Sequence, residues 1–139
     1  MKVKIRKADK KLKAQVWTLF SRYIRLRDCL KTTNTLESGK CISCGKEVPF
    51  KGGDAGHFVQ GRRNAILFDE TGCHFQCRYC NRFLNGNQLP YRRMIIKMYG
   101  EGYDEYLENK AKEVKQFERW ELEEMKEMYK RKIKELEGK

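Results

Sequence analysis

Residues 41–44 read CISC and residues 77–80 read CRYC, and these two Cys-x-x-Cys pairs decide the fold. A Cys-x-x-Cys turn places two thiolates on one side of a tight loop, and two such turns supply the four sulfur ligands of a structural zinc site. A zinc ion would hold both ends of the glycine-rich insertion between the pairs, which is too short to form a core of its own. We therefore predict structural zinc, in preference to disulfides or a redox pair, at Cys41, Cys44, Cys77 and Cys80.

The other two cysteines, Cys29 and Cys73, have no partner at ligand spacing, and we expect them to be small buried residues. No apolar run approaches the roughly 20 residues that a membrane span needs. Residues 1–13 are basic but lack the apolar stretch of a signal peptide. We therefore expect a cytoplasmic chain without a membrane partner, in a compartment where cysteines bind metal more often than they form disulfides.

The formal net charge of +12 favours a polyanionic partner, most often nucleic acid, over a surface that is basic only for solubility. Residues 1–31 carry eleven Lys and Arg against two acidic residues, and residues 32–100 carry ten against five. Residues 101–139 carry ten against twelve. These boundaries separate a basic N-terminal arm and helix, a cysteine-rich core and a charged C-terminal segment, and they place the expected phosphate-binding surface within the first two.

Residues 9–30 are predicted to form an amphipathic helix. Three arginines, Arg22, Arg25 and Arg27, fall mostly off its apolar face. Residues 31–40 are rich in Thr, Asn, Ser and Gly and are typical of a loop. The apolar residues of the helix recur at a spacing of three to four and are Leu12, Val16, Leu19, Phe20, Tyr23, Ile24 and Leu30.

Residues 41–85 contain many glycines, so we expect only short regular elements there, followed by a helix that starts near Cys77. Residues 91–99 are predicted to form another short helix, with Pro90 at its start and Gly100 at its end. The expected strands lie near residues 48–50, 55–59 and 66–68.

Residues 103–137 are predicted to form one long helix of roughly 50 Å, because apolar residues recur at helical spacing and neither Gly nor Pro interrupts them. Such a helix is too long to bury its whole apolar stripe on a small domain. Two arrangements remain open. The helix forms a homodimer contact, or it folds back along the first helix.

Residues 54–63 read DAGHFVQGRR and contain His57, one of two histidines in the chain. A Cys-x-x-Cys pair, a strand ending in a histidine, a second pair and an Asn at the head of a helix together resemble the HNH, or ββα-metal, endonucleases. The run FSRYIRLRDCL…CISCG…DAGHF…FQCRYCN…GN looks more narrowly like the NinG/Rap recombination proteins of lambdoid phages. The resemblance covers about residues 17–107. It implies an α+β fold with a zinc-containing treble-clef core, flanked by the N-terminal helix and the long C-terminal helix.

The resemblance also implies functional roles. His57 matches the general base that activates water for attack on a phosphodiester, a task that suits an imidazole with a pKa near neutrality. Asn81 matches the residue that coordinates a catalytic Mg²⁺ or Mn²⁺, for which an amide oxygen is a suitable ligand. The alternative for His57 is a structural histidine or a fifth zinc ligand.

The chain departs from the HNH pattern at two positions. Most members place an acid directly before the histidine, where this chain has Gly56. The nearest acid is Asp54, and we expect a bulge or bend at Gly56 to bring it to the ion beside Asn81. The central Asn of the motif has no clear counterpart. His74 lies near its place and either orients His57, contacts the ion or faces solvent.

Asn85 lies one helical turn after Asn81, so it is a further candidate ligand of the catalytic ion. Its alternative is an ordinary residue at the end of a helix. DNA phosphates are the expected partners of two further sets of basic residues. They are Arg62, Arg63, Arg78 and Arg82 around the HNH unit, and Lys7, Lys10, Lys11 and Lys13 in the N-terminal arm.

The sequence and the resemblance together predict a metal-dependent DNA endonuclease of phage recombination, acting on branched DNA such as Holliday junctions. If a phage encodes the chain, it acts in the cytoplasm of a bacterial host. The first alternative is a zinc module that binds DNA without cutting it, and the glycine at position 56 favours this. The second is a protein-interaction scaffold whose C-terminal segment is the working part.

Overall fold

The computed structural model of the chain describes residues 6–138 and shows helices packed around two small sheets. Residues 1–5 of the predicted basic arm lie outside the described part. The helices are α1 (Lys7–Thr33), α2 (Asn64–Leu67), α3 (Gln88–Tyr99), α4 (Tyr103–Lys110) and α5 (Arg119–Leu136). The strands are β1 (Ser38–Lys40), β2 (Glu47–Pro49), β3 (Gly53–His57) and β4 (Cys73–Cys77), with a 3₁₀ turn at Phe50–Gly52 and a π-helical turn at Tyr79–Phe83.

Helix α1 confirms the predicted N-terminal helix and extends it by a few residues at each end. Its buried apolar residues include Val16, Phe20 and Ile24, which lie on one face. It ends where Asn34 adopts a left-handed conformation and donates its backbone N–H to the carbonyl of Leu30.

The strands form two antiparallel hairpins, β1–β2 and β3–β4. The strands expected near residues 48–50 and 55–59 are present as β2 and β3, within two residues of the predicted limits. The strand expected near residues 66–68 is wrong, because that short apolar run forms the helical turn α2. Short apolar runs do not distinguish a strand from a buried helical turn by periodicity. The partner of β3 is instead β4, which is buried along its whole length.

Helix α3 confirms the predicted short helix. Pro90 is its third residue rather than its first, and this position still lacks an intrahelical acceptor for an N–H. Gly100 ends the helix with a φ of 105°, as expected of a glycine stop.

The prediction of one long C-terminal helix is wrong, because residues 111–118 separate α4 from α5. No Gly or Pro causes this break. Tertiary contacts of residues 111–118 take the place of the contacts that a continuous helix would make. Asn64 Nδ2 donates to the Lys115 carbonyl at 3.0 Å, and the Phe117 ring packs 5.2 Å from that of Phe68. The carboxylate of Glu121 then accepts the backbone N–H of Glu118 at 2.9 Å and caps the start of α5.

Helix α5 folds back along α1, which is one of the two arrangements left open by the sequence. Leu122 packs with Leu12 and Val16, and the ring of Tyr129 lies edge-on to Phe20 at 5.3 Å. The cluster around Phe20 also includes Ala55 of β3, so the three predicted segments share one core. A homodimer stays a prediction.

The architecture is α+β, as predicted. None of the helices within residues 6–138 has the length and apolar character needed to cross a membrane.

Candidate metal centre and the surrounding basic surface

The two Cys-x-x-Cys turns bring four thiols together. One turn follows β1 and the other spans the end of β4 and the π-helical turn. The Sγ atoms of all four cysteines lie within 4.8 Å of one another, and those of Cys44 and Cys77 are 3.9 Å apart. Tetrahedral zinc with bonds of about 2.3 Å requires sulfur separations of about 3.8 Å. Cys41, Cys44, Cys77 and Cys80 could therefore hold a metal ion such as zinc.

Polar groups support these sulfurs. The backbone N–H of Cys80 points to Cys77 Sγ at 3.4 Å, and Gly45 closes the first turn with a φ of 76°. The side chain of Asn87 donates to Cys80 Sγ at 3.3 Å. Hydrogen bonds of this kind orient metal ligands. The sequence analysis missed Asn87, which directly precedes α3 in the structure, and no spacing in the sequence linked it to the cysteines.

Cys29 and Cys73 are free and fully buried, as predicted. Burial raises the pKa of the Cys29 thiol to about 11. Burial also raises the pKa of the Cys73 thiol far above its usual value. Both residues therefore stay protonated at neutral pH and serve as packing residues.

A polar cluster lies beside the second cysteine turn, and we call Asp54, Asn81, Arg78 and Arg82 the Asp54 centre. Asn81 Nδ2 donates to Asp54 Oδ2 at 3.0 Å. Arg82 donates to both carboxylate oxygens at 3.0 Å each, and Arg78 Nε lies 3.8 Å from Oδ1. The cluster therefore combines one carboxylate and one amide, the oxygen donors of hard cations, with two guanidinium groups.

Two more arginines extend this positive surface. Arg25 lies over the ring of Phe50 at 4.7 Å, and Arg22 lies over the same ring at 5.6 Å. Burial and the charge of Arg22 lower the pKa of Arg25, whereas Asp54 opposes this change. Such crowding of like charges is relieved by an anion. The position of these arginines off the apolar face of α1 was the available signal, but the sequence analysis did not place them in the site.

The bend expected at Gly56 is absent. β3 pairs with β4 residue for residue, with Asp54 opposite Gln76 and Gly56 opposite His74. Asp54 reaches Asn81 from this regular strand. Glycine is needed at position 56 for a different reason. A Cβ atom there would clash with the buried side chain of Gln76. This contact accounts for the missing acid before His57.

His57 ends β3 on the opposite face of the strand. Its ring stacks on Trp17 with centroids 5.2 Å apart, and its Nε2 lies 2.9 Å from the Leu67 carbonyl. Because a carbonyl only accepts, Nε2 carries the proton and Nδ1 holds the lone pair of the neutral ring. Burial lowers the pKa of His57, and the charge of Arg62 adds to this effect although the hydrogen bond to Leu67 opposes it. The ring is therefore neutral at pH 7.

The structure does not bring His57 and Asn81 together. Positions 54 and 57 of a regular strand face opposite ways and lie about 10 Å apart along it. Asn81 contacts Asp54, whereas the ring of His57 contacts residues of α1 and α2. Both cannot act on one phosphate without a rearrangement of this hairpin.

His74 is buried and does not face solvent, so that alternative is wrong. Its Nδ1 lies 3.0 Å from Asp28 Oδ2, and its Nε2 lies 3.0 Å from the Tyr99 hydroxyl and 3.1 Å from the Thr71 carbonyl. Asp28 also pairs with Arg27 at 2.8 Å. Since these partners occupy both nitrogens, His74 joins α1 to β4 and α3, and it reaches neither His57 nor Asn81.

Asn85 does not share a helical face with Asn81. The π-helical turn ends at Phe83, and Asn85 has a left-handed φ of 49°. The expected spacing along a continuous helix is therefore wrong. Within the described residues, no hydrogen bond joins the Asn85 side chain to the Asp54 centre.

The remaining predicted DNA contacts lie elsewhere on the surface. Arg62 is exposed and stacks 4.5 Å above Trp17, beside His57, and Arg63 is also exposed. Lys13 donates to Asn64 at 2.6 Å. The other three lysines predicted to bind DNA lie exposed along the first turns of α1 and are Lys7, Lys10 and Lys11. Arg62 thus lies beside His57, and Lys13 is close enough to Arg62 for their charges to interact, whereas Arg78 and Arg82 belong to the Asp54 centre.

Comparison with known proteins relates the whole chain to one phage family. The family model "NinG: Bacteriophage Lambda NinG protein" matches residues 1–139. "Protein ninG" of Salmonella phage P22 is 36% identical over 100 residues, and that of Escherichia phage 933W is 37% identical over 101 residues. "Protein ninG" of Escherichia phage lambda is 36% identical over 101 residues.

Each of these matches covers 69% of this chain and 47% of the relative. The chain therefore spans about half the length of the curated relatives it matches. No solved structure gives a significant match.

Proposed function

The chain belongs to the NinG family of phage proteins, and on this premise we propose that it is a zinc-stabilised DNA endonuclease of phage recombination that acts on branched DNA. The observation that carries the proposal is the Asp54 centre. The Asp54 carboxylate on β3 contacts the Asn81 amide on the π-helical turn, with arginines on either side.

The donor set fits a Mg²⁺ or Mn²⁺ ion. Such ions bind through one or two carboxylates together with water and substrate phosphate, and Asp54 provides that carboxylate. If the side-chain amide group of Asn81 rotates so that its oxygen and nitrogen exchange places, the oxygen faces the ion in place of the nitrogen that now contacts Asp54. When bound, the ion would neutralise charge on the phosphate and on the leaving oxygen.

The arginines that now hold Asp54 are free to exchange partners. The side chains of Arg78 and Arg82 are 53% and 60% exposed. Ion pairs at such exposure contribute at most about 1 kcal/mol, because water screens them. A DNA phosphate offers each guanidinium an equivalent bidentate partner, so DNA binding would release the carboxylate for the ion.

The general base in this proposal is His57, as the family resemblance implies. Its neutral ring and the lone pair on Nδ1 suit that role, and Arg62 beside it suits a phosphate. Because His57 and Asp54 lie on opposite faces of the same strand, the proposal requires the β3–β4 hairpin to rearrange when DNA binds. A His57 variant therefore tests a different part of the proposal from an Asp54 variant.

The test is cleavage of a labelled four-way DNA junction by the zinc-loaded chain with Mg²⁺ or Mn²⁺. We expect Asp54→Ala and Asn81→Ala to lower the rate at least about a hundredfold, since a metal ion supplies several kcal/mol of charge stabilisation. His57→Ala should lower it by about 10²–10⁴. Glu123→Ala, which breaks an exposed carboxylate–arginine pair on α5, is the control and should cut normally.

A DNA-binding module without catalysis is the second candidate function. It is favoured by the separation of His57 from the Asp54 centre and by the two arginines that now neutralise Asp54. If the wild-type chain binds the junction and cuts nothing with either ion, this second candidate replaces the first.

A further inference from the structure

The π-helical turn presents two large aromatic rings to solvent. Tyr79 is 62% exposed and Phe83 is 76% exposed. Their centroids are 6.0 Å apart and their planes differ by 28°, so the rings stack on each other. Neither ring belongs to a core cluster of the described residues, so packing in the core does not explain why aromatic residues occupy these positions.

The two rings stand on a firmly held support. Cys80, between them in sequence, is one of the four clustered thiols. The Leu84 N–H donates to the Tyr79 carbonyl at 3.0 Å, and the Gly86 N–H donates to the Cys80 carbonyl at 2.9 Å. The rings are therefore positioned in advance, and a partner that docks on them loses little entropy in ordering them.

The surroundings of the rings are positively charged. Arg78 and Arg82 alternate with Tyr79 and Phe83 along the same turn, and both guanidiniums lie at Asp54. Aromatic faces interleaved with phosphate-binding arginines are the arrangement that binds single-stranded nucleic acid, because bases stack on the rings while the backbone follows the charges.

We infer that Tyr79 and Phe83 form a stacking surface for unpaired DNA bases beside the Asp54 centre. This inference rests on the proposed function and deepens it. It states that two residues let the protein distinguish DNA with unpaired bases from continuous duplex. Bases within a duplex are already stacked and cannot reach the rings without unpairing. The charge argues for this occupant over an apolar surface of a second copy of the chain.

The test is fluorescence anisotropy with a labelled oligothymidylate and with a fully paired duplex, without divalent ion so that cleavage does not contribute. Tyr79→Ala/Phe83→Ala should bind the oligothymidylate at least about tenfold more weakly than wild type. Duplex binding should stay within about twofold, because the arginines remain. Trp120→Ala removes a 61% exposed aromatic ring from α5 and should change neither affinity.

Tyr79→Leu/Phe83→Leu separates stacking from apolar contact. This variant keeps an apolar surface without π faces, so we expect it to bind the oligothymidylate as weakly as the alanine variant. Full affinity in the leucine variant would overturn the inference. Sedimentation that shows a wild-type dimer lost on alanine substitution, with single-strand affinity unchanged, would assign the rings to a second copy of the chain.

A second readout does not depend on weakened binding. Phe83→Trp places a fluorescent tryptophan on the stacking surface. Oligothymidylate should quench a larger fraction of the tryptophan fluorescence of this variant than of the wild type. Equal loss of single-strand and duplex binding in the alanine variant would refute the inference and leave the proposed function standing. Absence of any DNA binding by the wild type would instead refute the proposed function.

Discussion

Replacing Gly56 with alanine tests the explanation of why this chain lacks an acid before His57. The added methyl group would clash with Oε1 of Gln76 and would lie 3.1 Å from two of its carbon atoms. Gln76 is fully buried and cannot easily move away. It donates to Ser43 Oγ at 2.9 Å and to the Gly86 carbonyl at 2.6 Å.

The expected cost follows from these contacts. Keeping Gln76 in place overpacks the site by about 1–3 kcal/mol, and moving it breaks two hydrogen bonds of about 1 kcal/mol each. Alanine restricts the unfolded chain and returns about 0.4–1 kcal/mol. Gly56→Ala should therefore lower the free energy of unfolding by about 1 kcal/mol, and Tm by about 4 °C for a chain of this length.

The assay is urea unfolding of the zinc-loaded chain followed by circular dichroism. Gly52→Ala is the matched control, because its added Cβ has no neighbour closer than 3.6 Å. It should be neutral or stabilising by up to about 1 kcal/mol. Removing the obstructing side chain should offset part of the cost, so Gly56→Ala/Gln76→Ala should be more stable than the sum of the single changes implies. Equal stability of Gly56→Ala and wild type would refute the reasoning, and an acid at position 56 would then be sterically possible.

Three further predictions concern the support of the site. Burial opposes ionisation of Asp28, but the hydrogen bond and charge of His74 and those of Arg27 lower its pKa to about 2. Its carboxylate therefore contributes stability that is fully present above its ordinary pKa near 4 and is lost as pH falls through about 2. Asp28→Asn should lower the free energy of unfolding by about 2 kcal/mol in urea at pH 7. Cys77→Ser, or a strong chelator, should abolish cooperative unfolding of the hairpin region, and hydrogen exchange at β4 that matches the zinc-loaded wild type would contradict a structural metal. Leu122→Ala should cost about 2–5 kcal/mol and leave the sedimentation coefficient equal to that of the wild type, because this residue packs within the chain, and a change of oligomeric state would assign it to a dimer contact.

The elements that the sequence predicted well are those governed by local patterns. Helix α1 follows from its apolar spacing, and the cluster of four thiols that could hold a metal follows from the spacing of the cysteines. Both patterns report on neighbours within a few residues, so they need no knowledge of the fold.

The elements that it missed depend on distant contacts. The break between α4 and α5 arises from Asn64 and Phe68, about fifty residues before it, in a stretch whose local composition favours helix. Strand β4 is buried on both faces and shows no alternation that would identify it.

The candidate site divides in the same way. The sequence identified single candidate residues but not which of them lie together. Alternation along β3 places Asp54 and His57 on opposite faces of the strand. The contribution of α1 to the Asp54 centre, through Arg22 and Arg25, required the packing of that helix against the hairpin.

The most direct test of the central claim is the single-turnover rate at which a saturating concentration of the wild-type chain cuts a four-way DNA junction in Mg²⁺, compared with Asp54→Ala. The account predicts Mg²⁺-dependent cleavage by the wild type, and in the variant a rate at least about a hundredfold lower with junction affinity retained. Cleavage by Asp54→Ala at the wild-type rate would contradict the assignment of the Asp54 centre as the site of the catalytic ion. A wild-type chain that binds the junction and leaves it uncut would contradict the nuclease itself.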